Sequence, residues 1–135
     1  MSNIINLKSN EEWDILYKSN KKLAVDFTAS WCSSCQIITA SWCSSCQMIT
    51  PLFEELSNKF KEIYFIKIDV DDFEEIVQDM GVTCMPTFYF IFNEKIIKKM
   101  TGTNELELKK NILLLNEYLD NSSDSFSPED KTNNL

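Results

Sequence analysis

Two cysteine pairs are the residues best equipped for chemistry in this chain: Cys32 with Cys35, and Cys43 with Cys46. Two serines separate the partners in each pair, and a tryptophan, Trp31 or Trp42, precedes it. The pairs belong to one eleven-residue phrase said twice, TASWCSSCQII from Thr28 to Ile38 and TASWCSSCQMI from Thr39 to Ile49. The copies differ only at Ile37 against Met48. Thiol–disulfide exchange needs a thiolate that attacks and a second thiol that resolves the mixed disulfide. A cysteine at a helix N-terminus meets unpaired N–H groups and the positive end of the dipole, which favour its thiolate. Three residues on, one turn along, a second thiol can reach back. The first cysteine of each pair is therefore the expected nucleophile and the second the resolver. Four thiols spaced Cys-x2-Cys-x7-Cys-x2-Cys could instead hold zinc or an iron–sulfur cluster. Structural zinc sites, however, usually separate their two knuckles by about 15–20 residues.

Composition narrows the classes. With 135 residues, the chain has the length of one domain. Its apolar fraction of 44% can fill a core without structural disulfides. A net charge of −8 argues against a nucleic-acid partner, which would want a basic face. The absence of histidine removes His-based general-base catalysis and mixed Cys/His zinc sites. The N-terminal stretch lacks a basic region followed by an apolar one, and no run approaches the roughly 18 apolar residues of a membrane span. The expectation is a soluble cytoplasmic monomer in which five cysteines serve chemistry rather than act as staples.

The elements that must position the thiols follow from periodicity. Residues 3–7 read as a short strand. Ser9 and Glu12 form a capping-box pattern, with Trp13, Leu16 and Tyr17 at helical spacing. Residues 22–27, KLAVDF, suit a buried strand. After the doubled segment, Met48, Ile49, Leu52, Phe53, Leu56 and Phe60 mark one face of a helix, with Pro51 expected to kink it. IYFIKID (residues 63–69) is a second buried strand, and Phe73, Ile76, Val77 and Met80 make a short helix ended by Gly81. TFYFIF (87–92) and residues 95–101 form a hairpin turning at Asn93 and Glu94. A last helix, capped at Asn104 with Glu107, runs to about Leu119 and is expected to bury Leu106, Ile112, Leu113 and Leu119. Residues 121–135 lack periodicity and read as a disordered polar tail after a domain of residues 1–120. Strands alternating with helices, then a hairpin, imply an α/β fold with a central mixed sheet flanked by helices on both faces.

VDF, SWCSSCQMITPLFEEL, IKIDVDD and GVTCMPTFYFIF together resemble the thioredoxin family, in particular the small eukaryotic thioredoxins, over residues 3–119. The resemblance implies the thioredoxin fold, a cis peptide before Pro86, and protein-disulfide reduction that contributes to electron transport and cell redox homeostasis. No bound cofactor is implied. The implied partners are a thioredoxin reductase and protein disulfides such as those of peroxiredoxin or ribonucleotide reductase. Asp26, inside an apolar strand, should have a raised pKa and accept the proton of the resolving thiol through water; the alternative is a surface Asp at a strand end. Trp31 or Trp42 would shield the dithiol and line the substrate surface, or simply fill the core. Met85 and Pro86 would form the other wall, where the Met85 backbone can pair with an extended substrate. Cys84 would be a secondary redox-sensitive thiol, or a small space-filler. The chain departs from the family in having Ser-Ser where Gly-Pro is usual, a hairpin turn without glycine, and the duplication itself.

The flanks discriminate between the copies. The family pattern places a proline five residues after the second cysteine, which is Pro51 counted from Cys46 but Ala40 counted from Cys35. The first copy alone keeps the upstream spacing from VDF. A helix continued back to Cys35 would stay nearly in phase, since eleven residues are about three turns, but would carry the first pair about 16 Å beyond the second. The preferred reading makes Thr28 to Ile38 a surface insertion, starts the helix near Ser41, and gives the site to Cys43 and Cys46, with Cys32 and Cys35 as a duplicate pair. A thioredoxin-like binding protein that has lost catalysis is the remaining alternative.

Overall fold

The computed structural model describes residues 3–29 and 41–119, with only the backbone described for 41–47. Five strands, β1 (Ile4–Asn6), β2 (Lys22–Thr28), β3 (Ile63–Asp69), β4 (Thr87–Phe92) and β5 (Lys95–Thr101), form one sheet in the order β1-β3-β2-β4-β5. Strands β1, β3 and β2 run parallel, and β4 and β5 are antiparallel. Among the described residues four helices join them: α1 (Asn10–Tyr17), α2 (Ser41–Lys59), α3 (Glu74–Asp79) and α4 (Glu105–Glu117). This is the mixed, two-sided α/β arrangement expected.

Side chains alternate across the sheet, so each strand feeds two cores. On one face Ala24, Phe65, Phe88 and Phe90 pack with Ile49 and Phe53 of α2 and with Leu108, Ile112 and Leu115 of α4. On the other, Leu23, Val25, Phe27, Ile66 and Ile68 pack with Trp13 and Leu16 of α1 and Ile76 of α3. The Phe53 ring meets Phe65 edge-on, with centroids 5.2 Å apart, and lies 5.6 Å from Phe88, which locks α2 over β3 and β4.

The caps behave with one change. Ser9 Oγ accepts the Glu12 N–H at 3.0 Å, but Glu12 Oε1 takes the N–H of Lys8, one residue before the cap. Asn104 Oδ1 accepts the Glu107 N–H at 3.0 Å. Asn93 and Glu94 turn the hairpin with φ of 56° and 61°, the two left-handed residues of a type I′ turn, so the work is done without glycine. Gly81, at φ 69°, follows α3 as expected of a residue that leaves a helix left-handed.

Two expectations need correction. Helix α4 does not bury Leu106, Leu113 or Leu119, which are 73%, 47% and 73% exposed. It buries Leu108, Asn111, Ile112 and Leu115. Apolar residues surround this helix, so periodicity admits two stripes, and packing against β4 and β5 selects the one containing Ile112. In α2, Ile49, Leu52, Phe53 and Leu56 are buried as expected, but Met48 is 67% exposed. Met48 precedes Ile49 by about 100° of helical rotation, enough to carry it off the sheet-facing side. Pro51 lies within α2, which continues through it to Lys59.

Candidate active site

The parallel strands β2 and β3 end side by side, with Thr28 opposite Asp69. The antiparallel strand β4 starts at the same edge, since Phe27 pairs with Thr87. The chain thus leaves β2 beside the residue that follows Pro86. It re-enters described structure at Ser41, the first residue of α2. Cys43 lies in the first turn of α2 and Cys46 in the second. Cys46 precedes the buried Ile49 by three residues and Phe53 by seven. Trp31, Cys32 and Cys35 fall outside the described residues, and the expected insertion at Thr28 to Ile38 is described only at Thr28 and Ala29. The side chains of Trp42, Cys43 and Cys46 are likewise outside the description.

The first turn of α2 differs from those of the other helices. Acids occupy the first turn of α1 (Glu11, Glu12), α3 (Glu74, Glu75) and α4 (Glu105, Glu107), where they complement the dipole. The first turn of α2 has none. The first turn of this helix thus supplies no carboxylate at its positive end, and among the described helices it is the one whose start carries a cysteine.

Asp26 is 2% exposed in the middle of the sheet. It alternates with Val25 and Phe27 and shares the face of Ala24, the side covered by α2 and α4. Its register neighbours are Lys67 on β3 and Phe88 on β4. Burial raises its pKa from 3.8 to about 7, and the positive charge of Lys67 opposes that rise. One carboxyl oxygen, Oδ1, has no hydrogen-bond partner among the described residues. The surface alternative for Asp26 is therefore excluded. Lys67 escaped the sequence reading. A lone lysine inside the apolar run IYFIKID, at an even spacing from Phe65, was the signal that could have found it.

The peptide between Met85 and Pro86 is cis. Pro86 is buried and Met85 half-buried, while Thr83 and Cys84 are exposed. The Pro86 carbonyl accepts the Gly102 N–H at 3.0 Å, which ties this point to β5. The N–H and C=O of Met85 have no partner among the described residues. Cys84 is a free, exposed thiol, so the reading of it as a space-filler is excluded. Among the described residues no group of three or more His, Cys, Asp or Glu is placed to hold a metal.

A helix start bearing thiols, a proton-holding buried carboxyl in the preceding strand, and a cis-proline at the head of the neighbouring strand define the class of thiol–disulfide oxidoreductases. Comparison with known proteins places the chain more narrowly. The family model described as Thioredoxin matches residues 37–113, a stretch that includes Cys43 and Cys46 but not Cys32 and Cys35. Thioredoxin H4 of Arabidopsis thaliana is 35% identical over 115 residues, covering 82% of this chain and 87% of that one. The crystal structure of thioredoxin NaTrxh from Nicotiana alata superposes with a TM-score of 0.71 at 33% identity, covering 83% of this chain and 91% of that one. A chain from a structural study of the thiol resolving mechanism in yeast mitochondrial 1-Cys peroxiredoxin via glutathione/thioredoxin systems gives 0.70 at 31% identity, covering 84% and 98%. The chain belongs to the thioredoxin family.

Proposed function

We propose that this protein reduces protein disulfides through Cys43 and Cys46. The reading is carried by Cys43 in the acid-free first turn of α2, a helix whose far end is tied through Ser57 to Asn3 just before β1, so that it starts toward the strand ends where β4 begins behind Pro86. The Cys43 thiolate attacks one sulfur of a substrate disulfide and expels the other as a thiolate, which takes a proton from solvent. Cys46 then attacks the Cys43 sulfur of the mixed disulfide, its proton passing through water to the Asp26 carboxylate, and the second substrate sulfur leaves as a thiolate that takes a proton from solvent. The substrate leaves as a dithiol with two electrons gained, and Cys43–Cys46 remains as a disulfide. With a pKa of about 7, Asp26 can accept that proton and release it again near neutral pH. The unpartnered backbone groups of Met85 pair with an extended substrate segment beside the dithiol, and the family resemblance assigns Trp42 a role in the same substrate binding.

The reaction needs no bound cofactor, because the electrons reside on sulfur. A thioredoxin reductase regenerates the dithiol, and peroxiredoxin or ribonucleotide reductase disulfides are fitting substrates. A cytoplasmic setting, where thiols stay reduced, suits a chain with five cysteines. The start of α2 and the extent of the family match both support the second pair over the first. Insulin disulfide reduction with dithiothreitol tests this directly. Cys43→Ser should abolish turnover and Cys32→Ser should spare most of it; the reverse pattern would transfer the site to the first pair.

A further inference from the structure

The Met85 backbone can receive a substrate only if it is held in place, and the structure provides little to hold it. The last backbone anchor before it is Val82, whose N–H donates to Val77 O at 3.0 Å. The N–H groups of Thr83, Cys84 and Met85 have no partner among the described residues. After Pro86 the chain is fixed by β4, where Thr87 pairs with both Phe27 and Thr101. Among the described residues a single side chain bridges this gap. Thr87 is 1% exposed, and its Oγ1 donates to the Cys84 carbonyl at 2.6 Å. The Cys84 sulfur lies 3.9 Å from the same oxygen, a weaker contact through which the thiol can in turn be oriented.

We propose that Thr87 is a positioning residue for substrate, holding the segment Cys84–Met85 in the shape that pairs with an extended disulfide-bearing chain. The role rests on the protein-disulfide reductase reading above. The hydroxyl closes a ring across Pro86 from a rigid strand to an exposed carbonyl. Without it the Cys84 carbonyl can turn to water at little cost, because the residue is exposed, and the Met85 groups lose their fixed direction. Ordering them then falls on the binding step. Fixing the backbone of one residue opposes binding by a factor of about 5 to 10 at the lower end of its entropic cost. The loss appears only with substrates that use the backbone. A small disulfide has no extended segment to pair and reports the thiols alone.

The test compares Thr87→Val, which keeps the shape without the hydroxyl, with Thr87→Ser, which keeps the hydroxyl. Two reactions are followed: insulin reduction under dithiothreitol, and the bimolecular reaction of the reduced protein with 5,5′-dithiobis(2-nitrobenzoic acid). Thr87→Val should raise the KM for insulin about 5- to 10-fold, leave kcat within about twofold, and leave the small-disulfide rate unchanged. Thr87→Ser should restore the KM. If Thr87→Val matches the wild type, slows both reactions equally, or is not rescued by Thr87→Ser, the proposal fails. Thr87→Ala replaces the valine variant should that one not fold, as judged by circular dichroism. Should the active wild-type chain and the valine variant share one KM, only this role falls. Should the wild type reduce neither substrate, the proposed function falls with it.

Discussion

Asp26 gives the sharpest test of the site, because its environment sets stability and chemistry against each other. Its pKa is about 7 in the folded protein, raised by burial, against 3.8 for an ordinary aspartate. Below pH 3.8 the carboxyl holds its proton in both states and contributes nothing. Between 3.8 and 7 the unfolded chain has released the proton and the folded chain has kept it, so stability falls as pH rises. Above 7 the loss is complete and amounts to about 4 kcal/mol, at 1.36 kcal/mol per pH unit. Asp26→Asn removes the ionisation and keeps the shape. Its stability advantage over the wild type should therefore grow with pH. The sequence pI of about 4.5 makes the acid end of this window awkward, so the comparison belongs between pH 5.5 and 8. Within that range about 2 kcal/mol of the total comes into play. Urea unfolding of the reduced proteins, followed by circular dichroism at each half pH unit, measures it. At pH 8 the variant should also melt higher, by up to roughly 10–15 °C for a domain of this size. Insulin reduction by the same variant should slow, since Cys46 loses its proton acceptor. A stability difference constant to within about 0.5 kcal/mol across the range would refute the burial argument. Full turnover in the variant would remove Asp26 from the mechanism while leaving the stability reasoning intact.

Other perturbations test separate parts of the structure. Lys67→Met removes the charge that opposes the rise at Asp26, so the carboxyl titration, read by the pH dependence of its carbon NMR signal, should move to higher pH than in the wild type. Phe53→Ala should cost about 3–5 kcal/mol in urea unfolding, because the ring is buried against both Phe65 and Phe88. Glu94→Gly should stabilise by a few tenths to about 1 kcal/mol, since glycine accepts the left-handed φ of 61° that glutamate adopts at a steric cost; no gain in urea unfolding would mean the turn readjusts. Protein purified without chelator should carry well under one equivalent of zinc or iron by elemental analysis, and one tightly held equivalent would favour the four-cysteine metal site.

Much of this protein was legible before any coordinates. Nearly continuous apolar runs in KLAVDF, IYFIKID and TFYFIF placed three strands, because a strand buried on both faces must be apolar nearly throughout. The caps at Ser9 and Asn104 were readable from short polar side chains that accept N–H groups three residues on. The paired thiols were readable as chemistry from their spacing, and Asp26 as a carboxyl inside an apolar strand, whereas the roles of Met85 and Pro86 came from the resemblance to the thioredoxin family. The placement of a proline after Cys46 but not after Cys35 pointed to the second copy, and α2 is described from Ser41 onward.

Other features needed the assembled fold. No local rule chooses between the two apolar stripes of α4; contact with β4 and β5 buries Leu108, Asn111, Ile112 and Leu115 and leaves Leu106 and Leu113 in water. Asn111 belongs in that stripe because its amide reaches Met100 Sδ at 3.7 Å, a partner supplied by another element. Lys67 became part of the site only through the β2–β3 register, which sets it opposite Asp26. Thr87 lies only three residues from Cys84, but its 2.6 Å tie to that carbonyl gains rigidity from β4, where Thr87 is fixed between Phe27 and Thr101. By itself, then, the sequence determined which residues could exchange thiols and protons, since that depends on side-chain chemistry and local spacing. Tertiary structure decided which groups tune and hold them, because burial, register and opposing charge exist only between segments distant in the chain.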